Sequence, residues 1–226
     1  MVEPVRRAWE AYVEEGHAGH EGRELVEAVA QGVAREKGPG SSGSGVTLRS
    51  PCPHKNRACD FERRLEKKTV PRKTNLLEQG QNCDFIAFIG EGIYRFYHIQ
   101  DGEEKITAFF FSGDFVTNYR SFLTGQPSSH YIEAMKDSVI YIIRRADLHE
   151  LYAAHQSIER IGRLIAENLY LLLTKRLDAF MNSTPEERYQ DLLLRNSNLL
   201  QEVPQYMLAS YLGVKPESLS RIRARM

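Results

Sequence analysis

The segment from Pro204 to Met226 holds a dense set of side chains able to hydrogen-bond a nucleic acid. Glu217 can accept from a cytosine amino group, and Arg221 can pair with a guanine edge in a bidentate fashion. Lys215, Arg223 and Arg225 offer charge to phosphate oxygens, and Ser218 and Ser220 can bond either backbone or bases. Gln205 and Tyr206, at the start of the segment, complete this candidate set.

Such residues read bases only if a rigid element holds them clear of the body. The spacing predicts two short helices joined at Gly213. Ala209 is small where the helices would cross closely, and Gly213 can take the left-handed conformation that a tight turn needs. Leu219, ten residues after Ala209, falls on the buried face of the second helix, with Ile222 one turn later. This is the geometric requirement of a helix-turn-helix. A plain amphipathic helix with a solvated basic face is the blander alternative, and it leaves Ala209 and Gly213 unexplained.

The composition makes this local. Lys plus Arg equals Asp plus Glu at 30 each in 226 residues, so no overall basic field points to a nucleic-acid partner. Hydrophobic residues are 42% and charged residues 27%, ordinary for a globular chain with room for two small domains. The apolar runs at Phe109–Phe111 and Leu171–Leu173 are too short to span a bilayer. The beginning, with Glu3, Arg6 and Arg7, has no apolar signal-peptide core. Three cysteines, Cys52, Cys59 and Cys83, argue against a secreted disulfide scaffold. The expectation is a soluble cytoplasmic protein without a membrane partner.

Residues 1–37 read as two short helices, an extension that is either native or fused. Residues 38–60 open with a Gly/Ser-rich stretch of linker composition that cannot build a core. Strand-length runs follow within 61–152: Phe85–Ile89, Ile93–Ile99, Ile106–Phe111, Tyr131–Ala134 and Val139–Ile143. Gly90-Glu91-Gly92, Gln100-Asp101-Gly102 and Ser112-Gly113-Asp114 mark turns, the second of them a hairpin. This pattern implies a β-sandwich or barrel-like roll. Over 153–182 the period becomes helical, with Ile158, Ile161, Ile165, Asn168 and Leu172 on one stripe. The stripe serves either a core or a seam between two subunits, and Asn168 is of the type that sets register in such seams. Residues 183–226 begin with Thr184-Pro185-Glu186-Glu187, a capping box with proline at the first helical position.

Residues 61–226, about three quarters of the chain, resemble the Crp/Fnr superfamily of bacterial regulators, in the branch common in Bacteroidetes. The resemblance is carried by Pro204-Gln205-Tyr206, Ala209-Ser210-Tyr211-Leu212-Gly213 and Pro216-Glu217-Ser218-Leu219-Ser220-Arg221-Ile222-Arg223, together with Glu187-Arg188-Tyr189 and Gly113-Asp114-Phe115. It implies an α+β chain: a cyclic-nucleotide-binding-like β-roll (jelly roll), a long dimerisation helix and a small C-terminal helix-turn-helix domain, after an N-terminal helical extension. It further implies a homodimer on double-stranded DNA, with RNA polymerase as a further candidate partner, and no catalysis.

The departures concern the effector. Cyclic-AMP-binding members carry a Gly-Glu pair after Gly-Asp-Phe and an Arg-Ser pair further on; here those positions read Thr117-Asn118 and Ser128-Ser129. A phosphate would lack its guanidinium, whose hydrogen bonds are worth about 1.5–3 kcal/mol each. Arg120 or His130 are possible substitutes that no spacing requires. The expected pocket residues are Thr117, Asn118, Tyr119, Arg120, Ser128, Ser129 and His130, with an unidentified effector rather than cyclic AMP and no cofactor. Lys215 stands where the branch usually has a capping threonine, a loss of about 1 kcal/mol. The β-wing of many members is not evident.

Other groupings carry less. Cys52-Pro53-His54 with Cys59 is similar to an iron–sulfur cluster segment, but such centres need four cysteines. His17 and His20 lack a third metal ligand. Phe109-Phe110-Phe111 is expected to be core. Two further function classes stand beside this one: a dimeric small-ligand-binding or interaction protein without competent DNA binding, favoured by Lys215 and the missing wing, and a cupin-type enzyme. The latter needs clustered ligands, whereas His98 and His130 are isolated.

Overall fold

The computed structural model describes residues 60–225, with 62 and 196 excepted. The expected helices of 1–37, nearly all of the linker, and His17, His20, Cys52 and Cys59 lie outside the described residues.

Among the described residues, eight strands form two four-stranded sheets. They are β1 (Glu66–Val70), β2 (Asn75–Leu77), β3 (Phe85–Glu91), β4 (Ile93–Gln100), β5 (Glu103–Phe111), β6 (Phe115–Val116), β7 (Tyr131–Ala134) and β8 (Ser138–Arg144). The sheet orders are β1-β8-β3-β6 and β2-β7-β4-β5. Strands distant in sequence therefore lie side by side, as in a jelly roll. The helices are α1 (Tyr119–Thr124), α2 (Arg145–Ala154), α3 (Gln156–Asn182), α4 (Pro185–Arg195), α5 (Ser197–Glu202), α6 (Gln205–Leu212) and α7 (Pro216–Ala224). Among the described residues no helix is long and apolar enough to cross a membrane.

The chain divides into two compact units. One holds the described residues up to Arg95 together with Phe110–Ile165, and the other holds Phe96–Phe109 with the residues from Ala166 onward.

In the first unit, β3 and β8 run antiparallel with Ile86 opposite Ile143 and Phe88 opposite Tyr141. Phe88, Tyr141 and Ile143 pack with Phe122 of α1, Leu148 and Leu151 of α2 and Ile158 of α3 in one core cluster. The strict alternation of a half-buried strand is clearest in β7, where Ile132 and Ala134 are buried and Tyr131 and Glu133 are not.

The hairpin turn expected between β4 and β5 is present. Asp101 and Gly102 have φ of 53° and 78°, the doubly left-handed pair that a tight type I′ hairpin demands. Gly90 and Glu91, expected in a turn, continue β3 instead, and the reversal falls at Gly92. The aromatic run in β5 also departs from expectation: Phe109, Phe110 and Phe111 are all half-buried rather than core. Core positions in a strand alternate, so three consecutive aromatic residues cannot all face inward.

The helix expected over 153–182 is α3, Gln156–Asn182, which follows α2. His155 adopts an extended backbone between α2 and α3. Ile158, expected on an intersubunit stripe, is corrected: at 3% exposure it belongs to the core of the first unit.

In the second unit, α4 opens on the expected capping box. The Thr184 amide donates to Glu187 Oε2 at 2.7 Å, and the Glu187 amide donates to Thr184 Oγ1 at 3.2 Å. Arg188, one residue on, donates to the carbonyls of Ser183 at 2.6 Å and Leu212 at 3.0 Å, and its guanidinium lies over the Phe180 ring. One side chain thus ties the end of α3 and the start of α4 to the end of α6.

Candidate functional site

Helix α6 ends at Gly213, whose φ of 71° and ψ of 31° are left-handed. The Val214 amide returns to the Ala209 carbonyl at 2.9 Å, closing the turn. Ala209, Leu212, Leu219 and Ile222 are buried, so the two helices pack through small and branched side chains. The result is the helix-turn-helix expected from the spacing.

Helix α7 starts with Pro216 at its first position, after Lys215, whose side chain makes no capping bond. Glu217, Ser220, Arg221 and Arg223 are exposed, and Ser218 is half-buried. Arg221 Nε lies 3.4 Å from the Glu217 carbonyl one turn back, so the guanidinium extends along the helix. Arg225 caps the end, and its amide donates to the Ile222 carbonyl. Gln205 and Tyr206 occupy the exposed first turn of α6. The apolar face of α7 is consumed by α6, and the remaining faces carry the polar and basic residues.

The stretch expected to form the effector pocket is occupied by its own hydrogen bonds. Asn118 caps α1 by accepting the Ser121 amide at 3.1 Å and donates from Nδ2 to Ser128 Oγ at 2.6 Å. Ser128 Oγ in turn donates to the His130 carbonyl at 2.7 Å and accepts the His130 amide at 3.0 Å. Thr117 turns toward β3, donating to the Phe85 carbonyl at 2.8 Å. Tyr119 stacks on Phe122 with ring centres 6.1 Å apart. Arg120 is exposed, and Ser129 pairs with the neighbouring His130 ring. The structure thus joins Asn118, Ser128 and His130, and directs Thr117, Tyr119 and Arg120 elsewhere. The buried polar residues of this stretch, Asn118, Ser121 and Ser128, are uncharged.

Sequence reasoning missed Arg95. Its guanidinium bonds Glu133 of β7 at 2.8 Å, with side-chain exposures of 8% and 16%. Removing one partner of so buried a pair strands a charge, at about 3–5 kcal/mol. A lone arginine inside the apolar run Ile93–Ile99 was the available signal. Among the described residues no three or more His, Cys, Asp or Glu cluster to hold a metal ion.

Along α3, Ile161 is half-buried and Ile165 is 40% exposed, while the side chains of Asn168 and Leu172 lie outside the described residues. Beyond them Tyr170, Leu171, Leu173, Leu177 and Met181 are all more than half exposed.

Residues 67–155 match the family model of the cyclic nucleotide-binding domain. No curated protein matches the sequence. Solved structures do. FixK2 from Bradyrhizobium japonicum superposes with a TM-score of 0.59 at 18% identity, covering 71% of this chain and 83% of that one. CLP, the c-di-GMP-responsive global regulator of Xanthomonas campestris, gives 0.57 at 16% identity over 75% and 89% of the two chains. A protein from Eubacterium rectale assigned to the Crp/Fnr family of transcriptional regulators gives 0.60 at 16% identity over 76% and 82%. The fold of this chain is that of these solved structures.

Proposed function

We propose that this protein is a sequence-specific DNA-binding transcription regulator that works as a homodimer. The observation that carries the reading is α7: its apolar side is consumed by α6, and Glu217, Ser220, Arg221 and Arg223 stand exposed after a left-handed turn at Gly213. Arg221 and Glu217 read base edges, and Lys215, Arg223 and Arg225 bind phosphate. Gln205, Tyr206, Ser218 and Ser220 add backbone or base contacts.

The exposed apolar residues of α3 support the dimer, because a run of this size on a helix is costly in water without a partner. Ile161, Ile165, Asn168 and Leu172 belong to the seam under this reading. A two-fold dimer would set two copies of α7 about one helical turn of DNA apart. RNA polymerase and a cytoplasmic location accompany the same reading.

The roll senses a small effector other than cyclic AMP. In support, the polar groups of Asn118 and Ser128 are already paired with each other and with backbone.

An electrophoretic mobility shift with DNA from upstream of its own gene tests the reading. A shift that survives excess scrambled competitor supports it; no shift at any salt concentration overturns it. Lys215, which leaves α7 without a side-chain cap, favours the second reading, a dimeric small-ligand-binding or interaction protein that no longer binds DNA. The same experiment separates the two.

A further inference from the structure

We propose that Ser210 is a positioning residue that clasps the β4–β5 hairpin and thereby holds α6 where α7 can present its basic faces to DNA. The proposal rests on the DNA-binding reading above.

Ser210 lies on α6, outside the expected DNA-contact set. Its hydroxyl accepts the Ile106 amide at 2.9 Å and donates to the Glu104 carbonyl at 3.2 Å. Those two groups belong to β5, the last strand of its sheet. An edge strand presents a row of unpaired donors and acceptors on alternate residues. One hydroxyl, both donor and acceptor, matches a carbonyl and an amide two residues apart. Ser210 therefore completes the ladder of the edge strand for one step.

The adjacent residue reinforces the contact. The Tyr211 ring lies 5.5 Å from the Phe109 ring of β5, and the Arg176 guanidinium lies 4.3 Å from the centre of the Tyr211 ring. Aromatic and cation–π contacts of this kind add to the packing of the helix on the strand. Phe109 is half-buried, with the Tyr211 ring of α6 beside its own. Charge agrees as well. Glu103 at the hairpin is held below the ordinary carboxylate range mainly by its ion pair with Lys105, and Lys215 adds in the same sense.

The clasp uses the last turn of α6 and leaves Glu217, Ser220, Arg221 and Arg223 of α7 exposed. It is therefore compatible with DNA binding and fixes the helix that supports the reading helix. Losing it lets the helix-turn-helix reorient, which costs affinity through entropy rather than through any lost DNA contact.

The test uses the full chain, with Ser210→Ala, Ser210→Thr and Phe109→Leu. Two readouts are taken: hydrogen exchange at the Ile106 amide without DNA, and anisotropy with the DNA fragment found by mobility shift. Ser210→Ala should speed exchange at Ile106 and weaken DNA binding about fivefold, roughly one hydrogen bond's worth, with the salt slope unchanged. Ser210→Thr, which keeps the hydroxyl, should restore both. Phe109→Leu should weaken binding without altering the Ser210 hydroxyl. Unchanged Ile106 exchange in Ser210→Ala overturns the clasp. Faster exchange with equal or tighter DNA binding overturns its positioning role. Wild-type protein that binds no DNA refutes the regulator reading instead, and with it that role, while Ile106 exchange still reports on the contact itself.

Discussion

The side chain of Asn118 donates to Ser128 at 2.6 Å and, through its other end, accepts the Ser121 amide. These are two of the positions at which cyclic-AMP-binding relatives are expected to place a glutamate and an arginine. Here they form a closed polar link between the start of α1 and the loop before β7.

A cyclic nucleotide would have to break that link and bring its phosphate into a stretch whose buried polar groups are neutral. An uncompensated buried charge is among the costliest arrangements in a protein. Isothermal titration of purified protein with cyclic AMP should show no binding in the micromolar range. A micromolar dissociation constant would mean that the link opens readily and that a cation from elsewhere serves the phosphate.

Arg221 and Arg225 sit one turn apart on or beside α7, yet they should fail differently. Arg221→Ala should cost about 1–3 kcal/mol on the specific sequence and relax preference at one base pair. Arg225→Ala should weaken all sequences alike and lower the salt slope by about one. Anisotropy titrations across a salt series against specific and scrambled DNA distinguish them. Equal effects would show that the base-reading face lies elsewhere on the helix.

Much of this arrangement was legible from residue types because short-range chemistry dictates it. Thr184, Pro185 and Glu187 specify a helix start without reference to any neighbour, and Asp101-Gly102 specifies a hairpin turn in the same way. The elements that went unread depend on distant partners. β1, Glu-Lys-Lys-Thr-Val, is mostly exposed and reads as solvated chain; it is a strand because β8 offers a ladder, Glu66 opposite Ile142 through Val70 opposite Ser138. Ile158 sits in a helical stripe, and nothing local reveals that Phe61, Leu148 and Leu151 claim it. The Asn118–Ser128 bond was equally invisible. Two small polar residues ten apart are unremarkable until a helix and a turn bring them together.

The capping box also predicts an acid response. Glu187 is held below the ordinary glutamate value first by the Thr184 backbone amide and then by its hydroxyl. A depressed folded value means that the carboxylate stabilises the fold above the unfolded glutamate value, and that this contribution is lost as pH falls through the folded value. Thermal melts between about pH 6 and 3 should therefore show a decline that Glu187→Gln partly flattens. A variant whose melting curve tracks the wild type across that window would show that the box contributes nothing measurable.

Gly213 should tolerate no side chain, for two separable reasons. Its φ of 71° costs an L-residue about 1–2 kcal/mol even in open space. In addition, a Cβ there would sit 2.7 Å from Phe180 Cζ, a ring already covered by the Arg188 guanidinium. Gly213→Ala should therefore lower the melting temperature and abolish DNA binding at concentrations where wild type is saturated. Phe180→Ala removes the steric part and leaves the backbone part intact. In a double-mutant cycle, Gly213→Ala should thus cost less in the Phe180→Ala background than in wild type, with a coupling of about 1 kcal/mol or more. Strict additivity would place Phe180 away from the turn, and a silent Gly213→Ala would mean that the turn is not left-handed at all.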